Sequence, residues 1–132
     1  MAHAVEIILA RQLASDLAVP VLLVDACGDT LFYNEPAEAI FGRRFDQIGA
    51  LPLDDRMKIL APRRDDGRPL PVELLPAMLA MRERRPAHGQ LSIRGLDGIT
   101  RAVEATAVPI ESAGGHVLGA LITMWPGDMA HP

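Results

Sequence analysis

The sequence predicts a single α+β domain built on an antiparallel sheet. Two patterns predict it. Five short runs of β-forming or alternating residues are separated by turns rich in Gly, Asp and Pro. Helical patterns sit at the start and in the middle of the chain, and do not alternate with every strand. Its 132 residues are 49% hydrophobic and 23% charged, the mix of one globular domain with a core of its own. Aromatic residues make up only 4%, so Leu, Val, Ile, Ala and Met must fill that core.

Residues 4–18, AVEIILARQLASDLA, read as an amphipathic helix. Val5, Ile8, Leu9, Leu13 and Leu17 recur at spacings of three and four, which aligns them along one stripe. Pro20 ends the helical option. Val21–Asp25 is a short Val- and Leu-rich strand, and Gly28 between two aspartates marks a turn. Residues 30–34 form its hairpin partner. Asn34 is placed to cap a short helix through AEAIF, with Glu35 and Pro36 suiting its first turn. Gly42 stops that helix. Residues 43–71 read as loop with one or two helical turns, the best candidate being 54–60. Residues 71–84 should hold the longest helix after the first. An interior Pro76 costs about 3 kcal/mol, so the helix proper starts near Leu75 with Pro76 in its first turn. Three strands follow at 90–94, 100–108 and 117–125, with Asp97-Gly98 and Gly114-Gly115 as turns and Pro109 ending the second. The last run is apolar on both parities, as expected of a central strand covered on both faces.

Several functions are excluded at this level. Net charge is −4, and the arginine clusters at 43–44, 63–64 and 82–85 have acids nearby, so neither nucleic-acid contact nor a membrane surface is expected. One cysteine allows no intrachain disulfide and no cysteine-rich metal site. The apolar runs are short of a membrane span, and the N-terminus lacks a signal-peptide pattern, so a cytoplasmic protein is expected.

Three segments in order resemble a PAS domain. VLLVDACGDTLFYNEPAEAIFG resembles the family's opening hairpin and short helix. DDGRPLPVELLPAMLAMRERRP looks like the approach to its longest helix, and LDGITRAVEATAVPIESAGGHVLGALITMW like its closing strands. The match covers about residues 13–125. It implies a PAS fold: a five-stranded antiparallel sheet with helices over one face enclosing a cleft. The stripe of residues 5–17 resembles the family's N-terminal cap, which packs on the open sheet face or pairs between subunits. The chain then divides into a cap or dimerisation helix (1–18), the PAS domain (19–126) and a tail (127–132).

Catalytic chemistry finds no support, and no enzyme is expected. Cys27 lies between Asp25 and Asp29, with no neighbouring cation or helix N-terminus to activate a thiol, so a small residue in a hairpin turn is expected and not a reactive site. The family's photoreceptors carry an adduct-forming Cys within Asn-Cys-Arg after the second strand; the corresponding stretch here reads GRRFDQIG, so flavin is not expected. Haem-binding members use an axial His on or near the longest helix, and 72–85 contains none. His88, just beyond, is the one candidate, against a solvated loop His, and haem is not expected either. His3, His116 and His131 show no metal-ligand spacing. The pairs Asp54-Asp55 and Asp65-Asp66 are loop acids.

The cleft remains. Alternation assigns it Val103, Ala105 and Ala107, then Leu121, Thr123 and Trp125 on the last strand. Leu22 and Val24 come from the first strand, Leu91 and Ile93 from the third, Leu75, Met78 and Leu79 from the long helix, Met57 and Leu60 from the loop. These residues would equally pack as plain core, but the alanines leave room and methionines pack adaptably. A ligand there would be apolar, such as a fatty acid or hydrophobic metabolite. Ala120, Ile122 and Met124, on the opposite parity, would need cover from the first helix, in its own chain or across a homodimer. The expected function is a PAS sensory module of a signal-transduction or transcription-regulating protein. It senses a small apolar ligand, signals through dimerisation, or does both. Its effector domain or partner protein lies outside this chain. The alternatives are a ligand-free interaction module and, behind it, a haem sensor.

Overall fold

A computed structural model of the chain describes residues 4–127. Helix α1 (Val5–Asp16) leads into the hairpin β1 (Val21–Asp25) and β2 (Thr30–Tyr33). Three short helices follow, α2 (Glu35–Phe41), α3 (Phe45–Ile48) and α4 (Leu53–Leu60), then α5 (Pro76–Glu83). The chain closes with β3 (Ala87–Arg94), β4 (Thr100–Glu111) and β5 (Val117–Pro126). All strand pairs are antiparallel and the sheet order is β2-β1-β5-β4-β3, so the last strand is central.

The turn chemistry acts as its residues dictate. Gly28 takes φ +89° in the hairpin, and Asp25 Oδ1 accepts from the amides of Cys27 (2.9 Å) and Asp29 (3.0 Å). Gly42 closes α2 at φ +79°, where a Cβ would lie 2.5 Å from the Asp97 carboxylate. Arg101 fixes that carboxylate from two nitrogens, 3.0 and 2.7 Å away. Its hydrogen bonds, with the Ile99 amide, hold the Asp97 pKa down at about 2. Leu75 is the N-cap of α5 and Pro76 its first residue, as proline geometry requires. The stretch before it forms a separate 3-10 turn, Val72–Leu74, so α5 is no longer than α4.

Two strand boundaries differ from expectation. β3 begins three residues early, at Ala87. β4 runs on through Pro109 to Glu111. Pro109 faces Ala120 on β5, but β3 reaches only to Ala107, so the missing N–H falls where β4 has a single neighbour.

The faces of β5 are the reverse of those expected. Residues directly opposite one another on paired strands share a face. Ala105 lies opposite Met124, Ala107 opposite Ile122, and Leu22 also opposite Ile122. Ala120, Ile122 and Met124 therefore join the core beneath the helices, while Leu121, Thr123 and Trp125 turn to the other face. Thr123 is half-buried there, with Thr106 O at 3.5 Å from its hydroxyl, and Trp125 is exposed.

Helix α1 packs against β1, β2, β4 and β5 on that other face. There it covers Val21 and Leu23, both fully buried, with Ile7 and Ala14 as its own buried residues. Arg11 lies between them in helical spacing, its guanidinium 4.8 Å from the Phe32 ring centre. The stripe that defined the helix in sequence points away from the sheet. Val5, Ile8, Leu9 and Leu13 are each more than half exposed, and only Leu17 is partly covered.

Candidate functional site

Between the sheet and helices α4 and α5 lies an apolar cavity of about 70 Å³. Its floor is Leu22, Leu91, Ile93, Val103, Ala105, Ile122 and Met124. The walls are Phe41 of α2, Arg56, Met57 and Leu60 of α4, Pro62, Leu75, and Pro76 and Ala77 of α5. The strand contributions follow from pairing: Leu91 faces Val103 across β3–β4, and Ala105 faces Met124 across β4–β5. Alanine at 105 leaves the space that a longer side chain would fill.

Of the residues assigned to the cleft from sequence, Leu22, Met57, Leu60, Leu75, Leu91, Ile93, Val103 and Ala105 line this cavity. Val24 and Ala107 are buried in the same apolar cluster without lining it, and Met78 packs against its edge. Leu79 is half-buried on α5 and does not reach the cavity. Leu121, Thr123 and Trp125 are on the wrong face, and their places are taken by Ile122 and Met124. Both parities of β5 are apolar, so alternation could not choose between them. The Trp125 indole was the available signal. Its N–H needs an acceptor, and Glu104, opposite it on β4, accepts at 2.9 Å on the outer face.

Sequence reasoning missed Arg56. It lies three residues after Leu53 and four before Leu60, so helical spacing places it on the inward face of α4. The side chain is 7% exposed. Nη1 donates to Gly28 O (2.7 Å) and Thr30 Oγ1 (2.8 Å), which ties α4 to the hairpin. Burial pushes its pKa down to about 10, opposed by the nearby charges of Asp29 and Asp25. A second, smaller space of about 20 Å³ adjoins it, lined by Thr30, Tyr33, Ile48, Leu51 and Leu96 among others. Burial, with Glu38 and Asp46 adding to it, pushes the Tyr33 hydroxyl up to about 12, and that hydroxyl donates to Arg43 O at 2.8 Å.

The remaining candidates lie elsewhere. Cys27 is exposed on the hairpin turn. His88 is exposed on β3 and faces away from the cavity, with Nδ1 2.9 Å from Thr106 Oγ1 and Nε2 3.4 Å from Glu104 Oε1. His116 is exposed in the β4–β5 turn, and His3 and His131 lie outside the described residues. Among the described residues no cluster of His, Cys, Asp and Glu could hold a metal, and no helix is long and apolar enough to cross a membrane.

No family model and no curated protein matches the sequence. Solved structures do match. The PAS domain of BvgS from Bordetella pertussis is similar at TM-score 0.59 and 20% identity, over 92% of this chain and 85% of that one. The PAS domain of nitrogen regulation protein NR(II) from Vibrio parahaemolyticus matches at TM-score 0.64 and 17% identity, over 90% and 98%. A LOV protein from Rhodobacter sphaeroides matches at TM-score 0.63 and 14% identity, over 92% and 66%. With this strand order, these helices over one face and these likenesses, the chain has the fold of a PAS domain.

Proposed function

We propose that this chain is a sensory module that binds a small apolar ligand in the cavity beneath α4 and α5, and that it binds without catalysing a reaction. The observation that carries this reading is the cavity itself: apart from Arg56, every lining residue is apolar. Protein interiors are normally filled to crystal-like density, and a space of this kind forfeits contacts unless something occupies it. The PAS domain of a nitrogen regulation protein shares the fold, and that name denotes a regulatory setting. The space is about half the ~150 Å³ of an engineered cavity that binds benzene. A compact ligand therefore fits, whereas a fatty-acid chain would need the walls to part. Met57 and Met124 are the walls able to adapt. The output passes to an effector domain or a partner protein, in the cytoplasm.

Small apolar probes such as benzene and cyclopentane should raise the Tm of the wild-type protein. Ala105→Leu, which adds an isopropyl group into the space, should fold and lose that response. A wild-type Tm that no small apolar probe moves would overturn the reading.

The exposed stripe on α1 favours a second element, homodimerisation. Val5, Ile8, Leu9 and Leu13 are 62%, 54%, 57% and 57% exposed, on a helix whose other face already covers the sheet. A contiguous apolar strip of this kind marks an interaction surface. Replacing Leu9 and Leu13 by Glu should convert dimer to monomer in light scattering and remove any dependence of Tm on protein concentration, with the fold intact by circular dichroism. Dimers unchanged by the pair of substitutions would place the subunit contact elsewhere.

A further inference from the structure

Arg56 is an unusual residue to find in this wall. A buried guanidinium is costly unless its donors are satisfied. Only Nη1 is engaged, by Gly28 O and Thr30 Oγ1. Among the described residues nothing accepts from Nε or Nη2, and neither nitrogen is sealed from open space. The side chain is more than nine-tenths buried and borders both the large cavity and the small one. Neither nearby acid hydrogen-bonds to Arg56. Asp25 Oδ1 accepts from two backbone amides of the hairpin turn, and Asp29 Oδ1 accepts from the Leu53 amide at 2.7 Å. Stapling the hairpin to α4 needs one donor nitrogen. The structure leaves the whole Nε–Nη2 edge over, and that edge carries two parallel N–H groups matched to a carboxylate.

We infer that Arg56 anchors the head of the cavity's ligand, and that the ligand is a short-chain carboxylate. Its two oxygens take the Nε–Nη2 edge, and its hydrocarbon end lies against Leu22, Ile93, Ala105, Ile122 and Met124. At about 70 Å³ the cavity is roughly half the size of one that holds benzene, which fits an acyl chain of a few carbons and no longer. Charge-assisted, bidentate contacts in a low-dielectric wall are the stronger kind of hydrogen bond, and they would complete the coordination that Arg56 lacks. This assignment rests on the reading of the cavity as a ligand site and adds the chemistry of the head group.

The test uses the whole chain at constant ionic strength, with chloride as the salt control. Acetate, propionate, butyrate and hexanoate are compared with propionamide, butyramide and 1-butanol by thermal shift and titration calorimetry. Propionate and butyrate should raise Tm and give measurable heats, hexanoate should fall off, and the amides and the alcohol should bind at least roughly tenfold more weakly. Arg56→Lys keeps a charge and loses the fork, and should weaken butyrate by a similar factor. If that variant does not fold, the wild-type series decides alone. Amides or butanol binding as well as the acids would overturn the anchor role while leaving an apolar site in place. Benzene and cyclopentane shifting Tm with no response to any acid would do the same. Silence from acids, neutral probes and hydrocarbons alike would remove the ligand site together with the anchor.

Discussion

Asn34→Ala lowers Tm by about 15 °C, corresponding to roughly 4 kcal/mol in a domain of this size. The side chain is 1% exposed and joins three elements. Its Oδ1 accepts from Val21 N (2.9 Å) and Ala37 N (3.1 Å), and its Nδ2 donates to Ala14 O (2.9 Å) and Val19 O (2.8 Å). Truncation strands Val21 N and Val19 O in the interior, where each costs about 1–3 kcal/mol, reduced wherever water can enter, while Ala37 N and Ala14 O keep partners in Asn34 O (3.1 Å) and Leu17 N (3.3 Å). Helix-cap loss alone would cost about 1 kcal/mol. Asn34→Asp separates the two roles, since Asp caps helices as well as Asn but turns a carboxylate oxygen toward the Ala14 and Val19 carbonyls. It should be destabilised about as much as the alanine variant. Wild-type stability in Asn34→Asp would reduce Asn34 to a cap. Because both Nδ2 bonds go to α1 and the segment after it, the variant should also release the cap helix, seen as faster amide exchange over Val5–Asp16.

Gly119→Ala costs about 3 kcal/mol, the upper range for forcing an added group into a packed site, and lowers Tm by roughly 10 °C. A Cβ at 119 would fall on the Val24 carbonyl oxygen, with Asp25 Cα and Val24 C both at 3.2 Å. Every one of these atoms is backbone, so no side chain can swing away. β1 and β5 must part at the paired positions Val24–Ala120 and Asp25–Gly119. Amide shifts should move along β1 and β5 together. The control is Gly114→Ala in the β4–β5 turn, where the nearest atom to the new Cβ is the His116 ring at 3.5 Å, and whose Tm should hold. Equal losses in the two variants would mean that close strand approach is not the cause.

Much of this fold was legible because single residues impose it. Pro76 could only begin a helix, Gly42 could readily end one, and Asn34 beside Glu35-Pro36 marked a helix start. The three ordered segments carried the strand order, which alternation by itself does not give. The site was half legible. β3 and β4 have one smaller or more polar parity and one fit for burial, so their cavity residues could be read directly, whereas Val21–Val24 of β1 is apolar and buried on both faces. β5 is apolar on both parities, and only the pairing of Ala105 with Met124 decides which half faces inward. The α1 stripe showed where that helix is most apolar, yet its short residue Ala14, with Ile7, makes the contact, since a small side chain lets a helix lie close to a sheet. Arg56 was hidden by its type: in sequence an Arg beside two aspartates reads as a solvated charge. The further hydrogen bonds of Asn34 span up to 20 residues, and capping rules describe only the local one.

The most direct test of the account is methyl NMR of the wild-type protein under xenon pressure, since xenon enters dry apolar cavities of this kind. The methyl groups of Leu22, Leu91, Ile93, Ile122 and Met124 should shift together, and those of Leu9, Leu13 and Leu121 should stay in place. Shifts confined to α1 and Leu121, or absent from the Ile122 and Met124 methyls, would contradict both the cavity and the facing of β5 that forms it.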